Sequence, residues 1–117
     1  MLKNCRNVIT TADEAHALVF AALGDETRLL LIAKLCEGPP RSISQLTEGS
    51  RLTRQAITKH LRVLELAGIV RSVRTGRKNL FEFKPESIEE VKKYLIFVSE
   101  HWDQGLSRLK SFVEKSL

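Results

Sequence analysis

Nine cationic side chains fall between positions 51 and 84: Arg51, Arg54, Lys59, Arg62, Arg71, Arg74, Arg77, Lys78 and Lys84. Only Glu65 and Glu82 oppose them, so nine positive against two negative charges leave this stretch at +7, while the whole chain carries +5. Guanidinium and ammonium groups donate hydrogen bonds and accept none, which suits them to phosphate oxygens and to the acceptor edge of guanine. Charge gathered this tightly is the electrostatic footprint of a duplex-DNA reader. Within it Arg54, Thr58 and Arg62 recur four residues apart, with Gln55 and Lys59 beside them, so one helix face would collect them all. There Gln55 suits adenine and Arg54 or Lys59 suits guanine. Arg62, toward the helix C-terminus, suits a phosphate. His60 lies beside the stripe, placed to bond locally or to a phosphate. Arg74, Arg77 and Lys78 cluster around a glycine-containing turn, a basic tip able to reach the sugar-phosphate backbone or a minor groove.

These groups need elements to hold them. Thr53 reads as the N-cap of a helix ending near Ala67-Gly68, with Ile57, Leu61 and Leu64 forming its inward stripe, helped by Leu52. A shorter helix precedes it, running from near Ile43 to near Gly49; Ser42 and Gln45 stand at capping-box spacing. Ile69, Val70 and Val73 read as a strand and Leu80, Phe81 and Phe83 as its return, with Thr75-Gly76-Arg77-Lys78 between. Short helix, turn, polar-faced helix and basic hairpin make a helix-turn-helix with a wing. Its second helix is of a size to enter a major groove.

Two further helices come first. Residues 12–23 have helical apolar spacing, and Gly24 ends that helix. Asp25 caps the next one, with Glu26 at the positive end of its dipole. Leu29, Leu30, Ile32, Ala33 and Cys36 give this second helix an apolar face broad enough to predict burial on more than one side. Gly38-Pro39-Pro40 stops it. After Pro85 a long helix begins, with Ile88, Val91, Leu95, Val98, Trp102, Leu109 and Phe112 in a seam of threes and fours that Gly105 interrupts at one position. A monomer of 117 residues cannot cover that seam. A two-fold partner can, and such dimers are the commonest assembly.

The 43% hydrophobic content fits a folded domain. No apolar run approaches the ~20 residues that span a bilayer. The N-terminal apolar stretch is broken by Asp13, Glu14 and His16, which speaks against a secretory signal. Cys5 and Cys36 are too far apart to suggest a disulfide framework. The expectation is one cytoplasmic domain over residues 1–117 that binds no membrane. No nucleophile-base constellation, phosphate-cradling glycine loop or carboxylate pair predicts an enzyme.

FAALGDETRLLLIAKL at 20–35, LTRQAITKHLRVLELAGIV at 52–70 and GRKNLFEF at 76–83 resemble the ArsR/SmtB family of bacterial winged helix-turn-helix repressors. The likeness covers nearly the whole chain, from about residue 15 to about residue 112. WDQGLSRLKSFVE at 102–114 is similar to a branch of the family without obvious metal ligands. The resemblance implies a mainly α fold with a small β-hairpin wing. It further implies a homodimer paired through its first and last helices, and an imperfect inverted repeat as operator. Mapped onto this chain, it gives an N-terminal arm at 1–10, dimerisation helices at 11–23 and 86–116, a helix-turn-helix at 42–67 and a wing at 69–84. Arg54, Gln55, Thr58 and Lys59 match the family's DNA-facing positions, with His60, Arg62, Arg74, Arg77 and Lys78 around them. Leu18, Val19, Leu95, Val98, Trp102, Leu109 and Phe112 fall to the dimer.

Many relatives of this kind sense metals. Their thiol site falls on Ser42 and Ser44 here, and hydroxyls do not replace thiolates for soft cations. In the site on the last helix Ser99 stands for the Asp, His101 is present, and Phe112 and Lys115 fill the later slots. One imidazole makes no tetrahedral site. No metal and no cofactor is expected. Some relatives switch through a disulfide to the last helix, which has no cysteine here; Cys36 reads as a small core residue, with a Cys5–Cys36 bridge as the redox alternative. The remaining readings are a redox- or metal-responsive sensor, and a winged helix that binds protein instead of DNA. No residue pattern names an effector.

Overall fold

The computed structural model describes residues 11–116. The N-terminal arm and Cys5 lie outside the described residues. In order come α1 (Thr11–Leu23), α2 (Glu26–Cys36), β1 (Arg41–Ser42), α3 (Ile43–Thr47), α4 (Arg54–Leu66), β2 (Val70–Thr75), β3 (Lys78–Phe83) and α5 (Glu86–Ser116).

The starts of α2, α3 and α4 each have a side-chain cause. Asp25 accepts from Arg28 N–H at 3.1 Å and starts α2. Ser42 and Gln45 form the full reciprocal capping box at the head of α3, at 3.2 and 2.8 Å. Thr53 Oγ1 accepts from Ala56 N–H at 3.1 Å and starts α4. These caps satisfy amide groups that a helix cannot pair internally.

Gly68 ends α4 at φ +76°, a conformation open to glycine. It is doubly required, because a Cβ there would stand 2.6 Å from Ser87 Oγ. That hydroxyl donates to the Gly68 carbonyl at 3.0 Å and so pins the head of α5 to the end of α4. Gly76 (φ +63°) and Arg77 form the two-residue hairpin loop, with glycine first as a type II′ turn requires.

The sheet has order β1-β3-β2, antiparallel throughout. Arg41 pairs with Phe81 and Ser42 with Leu80. The two-residue strand β1 was not anticipated, since it is too short to leave a periodic pattern.

Leu46, Ile57, Leu61, Leu64, Ile69 and Val70 are fully buried, and Leu31, Leu35, Ala22, Phe81 and Val91 close around them. Leu52, Ile43 and Ile88 pack against this cluster. One core thus joins α1, α2, α3, α4, the wing and the head of α5. Two expectations fail here. The second helix is not buried on several sides: Leu31 and Leu35 face the core, while Leu29 and Leu30 are 51% and 59% exposed. Cys36 is exposed too. Five consecutive apolar residues, 29–33, hide the phase of a helix, so the inward pair could not be read from periodicity.

Candidate nucleic-acid interface

Helix α4 is two-faced. Ile57, Leu61 and Leu64 are buried; Arg54, Gln55, Lys59 and Arg62 are exposed on the other side, with Thr58 half-buried among them. Arg54, Gln55, Thr58 and Lys59 together line an open depression. The Thr58 hydroxyl donates to the Arg54 carbonyl at 2.7 Å, which leaves its oxygen turned out as an acceptor.

Both carboxylates of the basic segment are already engaged. Arg71 Nε pairs with Glu82 across the β2–β3 ladder. Glu65 accepts from Ser72 Oγ at 2.9 Å, which ties the last turn of α4 to the wing. Arg71 is thus the cation of the segment held in an ion pair, while Arg54, Lys59, Arg62, Arg74, Arg77 and Lys78 take part in none of the described ion pairs. At the wing tip Arg74 pairs with Asn79 and Thr75 with Lys78. Side chains alternate along a strand, so Arg74 and Lys78 leave the hairpin on opposite faces and Arg77 projects from the turn between them.

A notch between α3, the head of α4 and the wing is lined by Ser42, Ile43, Ser44, Gln45, Arg54, Lys78 and Asn79. It adds Ser44 and Asn79 to the polar surface around Arg54. Sequence reasoning missed both, because their proximity depends on the β1–β3 pairing.

His60 is turned away from the exposed stripe. Its Nδ1 lies 3.2 Å from an Arg28 nitrogen and 3.9 Å from Asp25 Oδ1. The contact reaches α2, 32 residues away in the chain, and is not a bond to a neighbour on its own helix. Asp25 has its carboxyl held below the usual range, chiefly by the Arg28 backbone N–H, with the Arg28 guanidinium adding to the effect.

On the outer faces of α1 and α5, Leu18, Leu95, Val98, Trp102, Leu109 and Phe112 are exposed. Val19 departs from that set. It is 3% exposed and belongs to the subunit core, because one helical step turns it from the outer face of α1 to the inner one. His16 and Phe20 each pack a ring against Tyr94, holding α1 along α5. Among the described residues, no group of three or more His, Cys, Asp and Glu side chains gathers to hold a metal. Partial desolvation of a largely exposed side chain and the neighbouring Glu37 carboxylate push the Cys36 thiol up, the wrong direction for a reactive thiolate. No described helix is long and apolar enough to cross a membrane.

The sequence model for the bacterial regulatory protein arsR family matches residues 25–72. An HTH-type transcriptional regulator of Bacillus subtilis, YuzN, is 40% identical over 81 residues, covering 64% of this chain and 88% of the relative. NmtR of Mycobacterium tuberculosis, also an HTH-type transcriptional regulator, is 30% identical over 91 residues, covering 78% and 75%. Among solved structures, an ArsR-like transcriptional regulator from Rhodococcus sp. RHA1 superposes with a TM-score of 0.80 at 34% identity, covering 87% of this chain and 93% of that one. The chain belongs to the ArsR family. It is a DNA-binding transcriptional regulator built as a winged helix-turn-helix, from a family of regulators and not of enzymes. The family match lies on α2 through the start of β2, which places the reading helix α4 inside it. A structure with 21% identity and a TM-score of 0.57, from Mycobacterium bovis, is described as a homodimeric winged helix-turn-helix DNA-binding domain.

Proposed function

We propose that this ArsR-family regulator is a homodimeric repressor of cytoplasmic DNA that reads an inverted repeat. Arg54, Gln55, Thr58 and Lys59 of each α4 meet base edges in successive major grooves. Arg62, Arg74, Arg77 and Lys78, with Ser44 and Asn79 in the notch, hold the phosphate backbone. The observation that carries the reading is the presence of two distinct exposed surfaces on one core. One is a cationic face on a segment that carries nine positive charges against two negative ones. The other is an apolar strip on α5, from Leu95 through Trp102 to Phe112, that the subunit leaves in solvent. The assembly described for the Mycobacterium bovis domain supports the dimer. Two-fold symmetry in the protein calls for two-fold symmetry in the site.

Selection of bound duplexes from a random library, sequenced, tests this directly. The expected product is a pair of inverted half-sites whose centres stand about one helical turn apart. Enrichment of a single unrepeated half-site, or of nothing, would overturn it. Repression is checked by placing the enriched site between a promoter and a reporter, where the regulator should lower expression.

A further inference from the structure

Arg28 ties three elements together. It stands in the first turn of α2, where its Nε donates to the Ala22 carbonyl at 2.6 Å and its Nη2 to the Ala21 carbonyl at 3.3 Å. Those carbonyls belong to the last turn of α1, which lacks intrahelical donors and carries the negative end of the helix dipole. The remaining arm, Nη1, lies 3.2 Å from Nδ1 of His60 in the middle of α4. A guanidinium has no lone pair to accept with, so this contact is a hydrogen bond only when Nδ1 is the bare nitrogen. The ring is then neutral, with its proton on Nε2. Asp25 Oδ1, at 3.9 Å from the same nitrogen, is beyond hydrogen-bond reach and is already committed to capping α2.

We propose that His60 is a positioning residue for DNA binding. Through Arg28, its Nδ1 holds the recognition helix at a fixed angle to the end of α1, one of the two helices offered to the dimer. His60 therefore acts through Arg28 and not by gripping a phosphate. The functional half of this inference rests on the DNA-reading dimer proposed above; the hydrogen bond itself does not.

Two substitutions separate the roles. In His60→Asn the side-chain oxygen takes the place of Nδ1 and still accepts from Arg28, and asparagine and histidine have similar helix propensity. His60→Leu fills the space and offers no acceptor. On a duplex enriched from a random library by the unaltered protein, His60→Asn should stay within about threefold, while His60→Leu should lose about tenfold, in keeping with a charge-assisted hydrogen bond. On a random-sequence duplex, where net charge governs affinity, all three proteins should bind alike. Nitrogen-15 NMR of the DNA-free protein at neutral pH should find His60 protonated at Nε2 and bare at Nδ1.

A proton on Nδ1 overturns the contact. Equal losses by His60→Asn and His60→Leu on both duplexes overturn the positioning role, since that is the pattern of a direct phosphate contact. Should the unaltered protein ignore every duplex, the DNA reading falls and the positioning role with it, whereas the tautomer still decides the contact.

Discussion

Trp102 gives the sharpest test of the dimer. It is 66% exposed in the single chain and takes no part in the subunit core. With a tryptophan at about 250 Å², on the order of 160 Å² per subunit waits to be covered. At ~25 cal/mol per Å², complete burial is worth about 4 kcal/mol. Alanine would recover part of that and an interface covers only part of any side chain, so about 2 kcal/mol per subunit is the working figure. Two-fold symmetry counts it twice, giving about 4 kcal/mol and a dissociation constant weaker by about a thousandfold. Sedimentation equilibrium of Trp102→Ala over a range of concentrations measures this. Leu66→Ala is the control: Leu66 is 81% exposed, but it lies on the last turn of α4, outside the α5 strip, and should leave association unaltered. A Trp102→Ala protein with native circular dichroism and an undiminished dimer constant would refute the assignment of α5 to the seam. An equal loss in Leu66→Ala would refute it too.

The wing and the reading helix should fail in different ways. Arg77→Ala should weaken binding to all duplexes alike and lower the salt slope by about one unit, measured by fluorescence anisotropy across salt; a change in preferred base would remove Arg77 from the backbone-contacting set. Gln55→Ala should relax preference at one base pair, worth ~1–3 kcal/mol there, in a comparison of single-substituted duplexes. Gly68→Ala should destabilise the fold by roughly 1–3 kcal/mol in urea unfolding, and adding Ser87→Ala should recover only part, because the clash goes while the left-handed backbone remains. Asp25 has a lowered folded-state pKa, so its contribution is present above the ordinary carboxylate value of 3.8 and is lost as pH falls through the folded value. The wild-type urea midpoint should therefore fall toward that of Asp25→Asn on acidification, since the amide caps the helix without titrating.

The caps were the most legible part of the sequence. Ser42, Thr53, Asp25 and Gly68 act within a few residues of themselves, so local chemistry sufficed to place the ends of α2, α3 and α4. The two faces of α4 were legible for a related reason: Ile57, Leu61 and Leu64 alternate cleanly with charge, and charge does not hide in a core. Residues whose roles depend on distant neighbours were harder. Val19 lies one position from Leu18, and only the packing of α1 on α5 distinguishes inner from outer. Leu29 to Ile32 are all apolar, so hydropathy could not choose the buried pair. The meeting of Arg28 with His60 spans 32 residues and leaves no local mark. Ser44 and Asn79 share a notch because β1 and β3 pair, which a two-residue strand could not announce.

The arrangement of the core has a consequence for control. Ala22 of α1 and Val91 of α5 are buried in the same cluster as Ile57, Leu61 and Leu64 of α4. Close-packed side chains of this kind do not deform smoothly. The helix that reads and the helices that would pair therefore move as one body within a subunit. Adjustment in the dimer then falls at the contact between subunits, along α5. A rotation of a few degrees there would shift both reading helices relative to each other while leaving each intact. Base-edge hydrogen bonds tolerate little displacement, whereas phosphate contacts by long cationic side chains tolerate more. An effector acting at that contact would accordingly reduce affinity for the paired half-sites far more than for random duplex. It could do so only to the extent that it binds the two dimer geometries unequally.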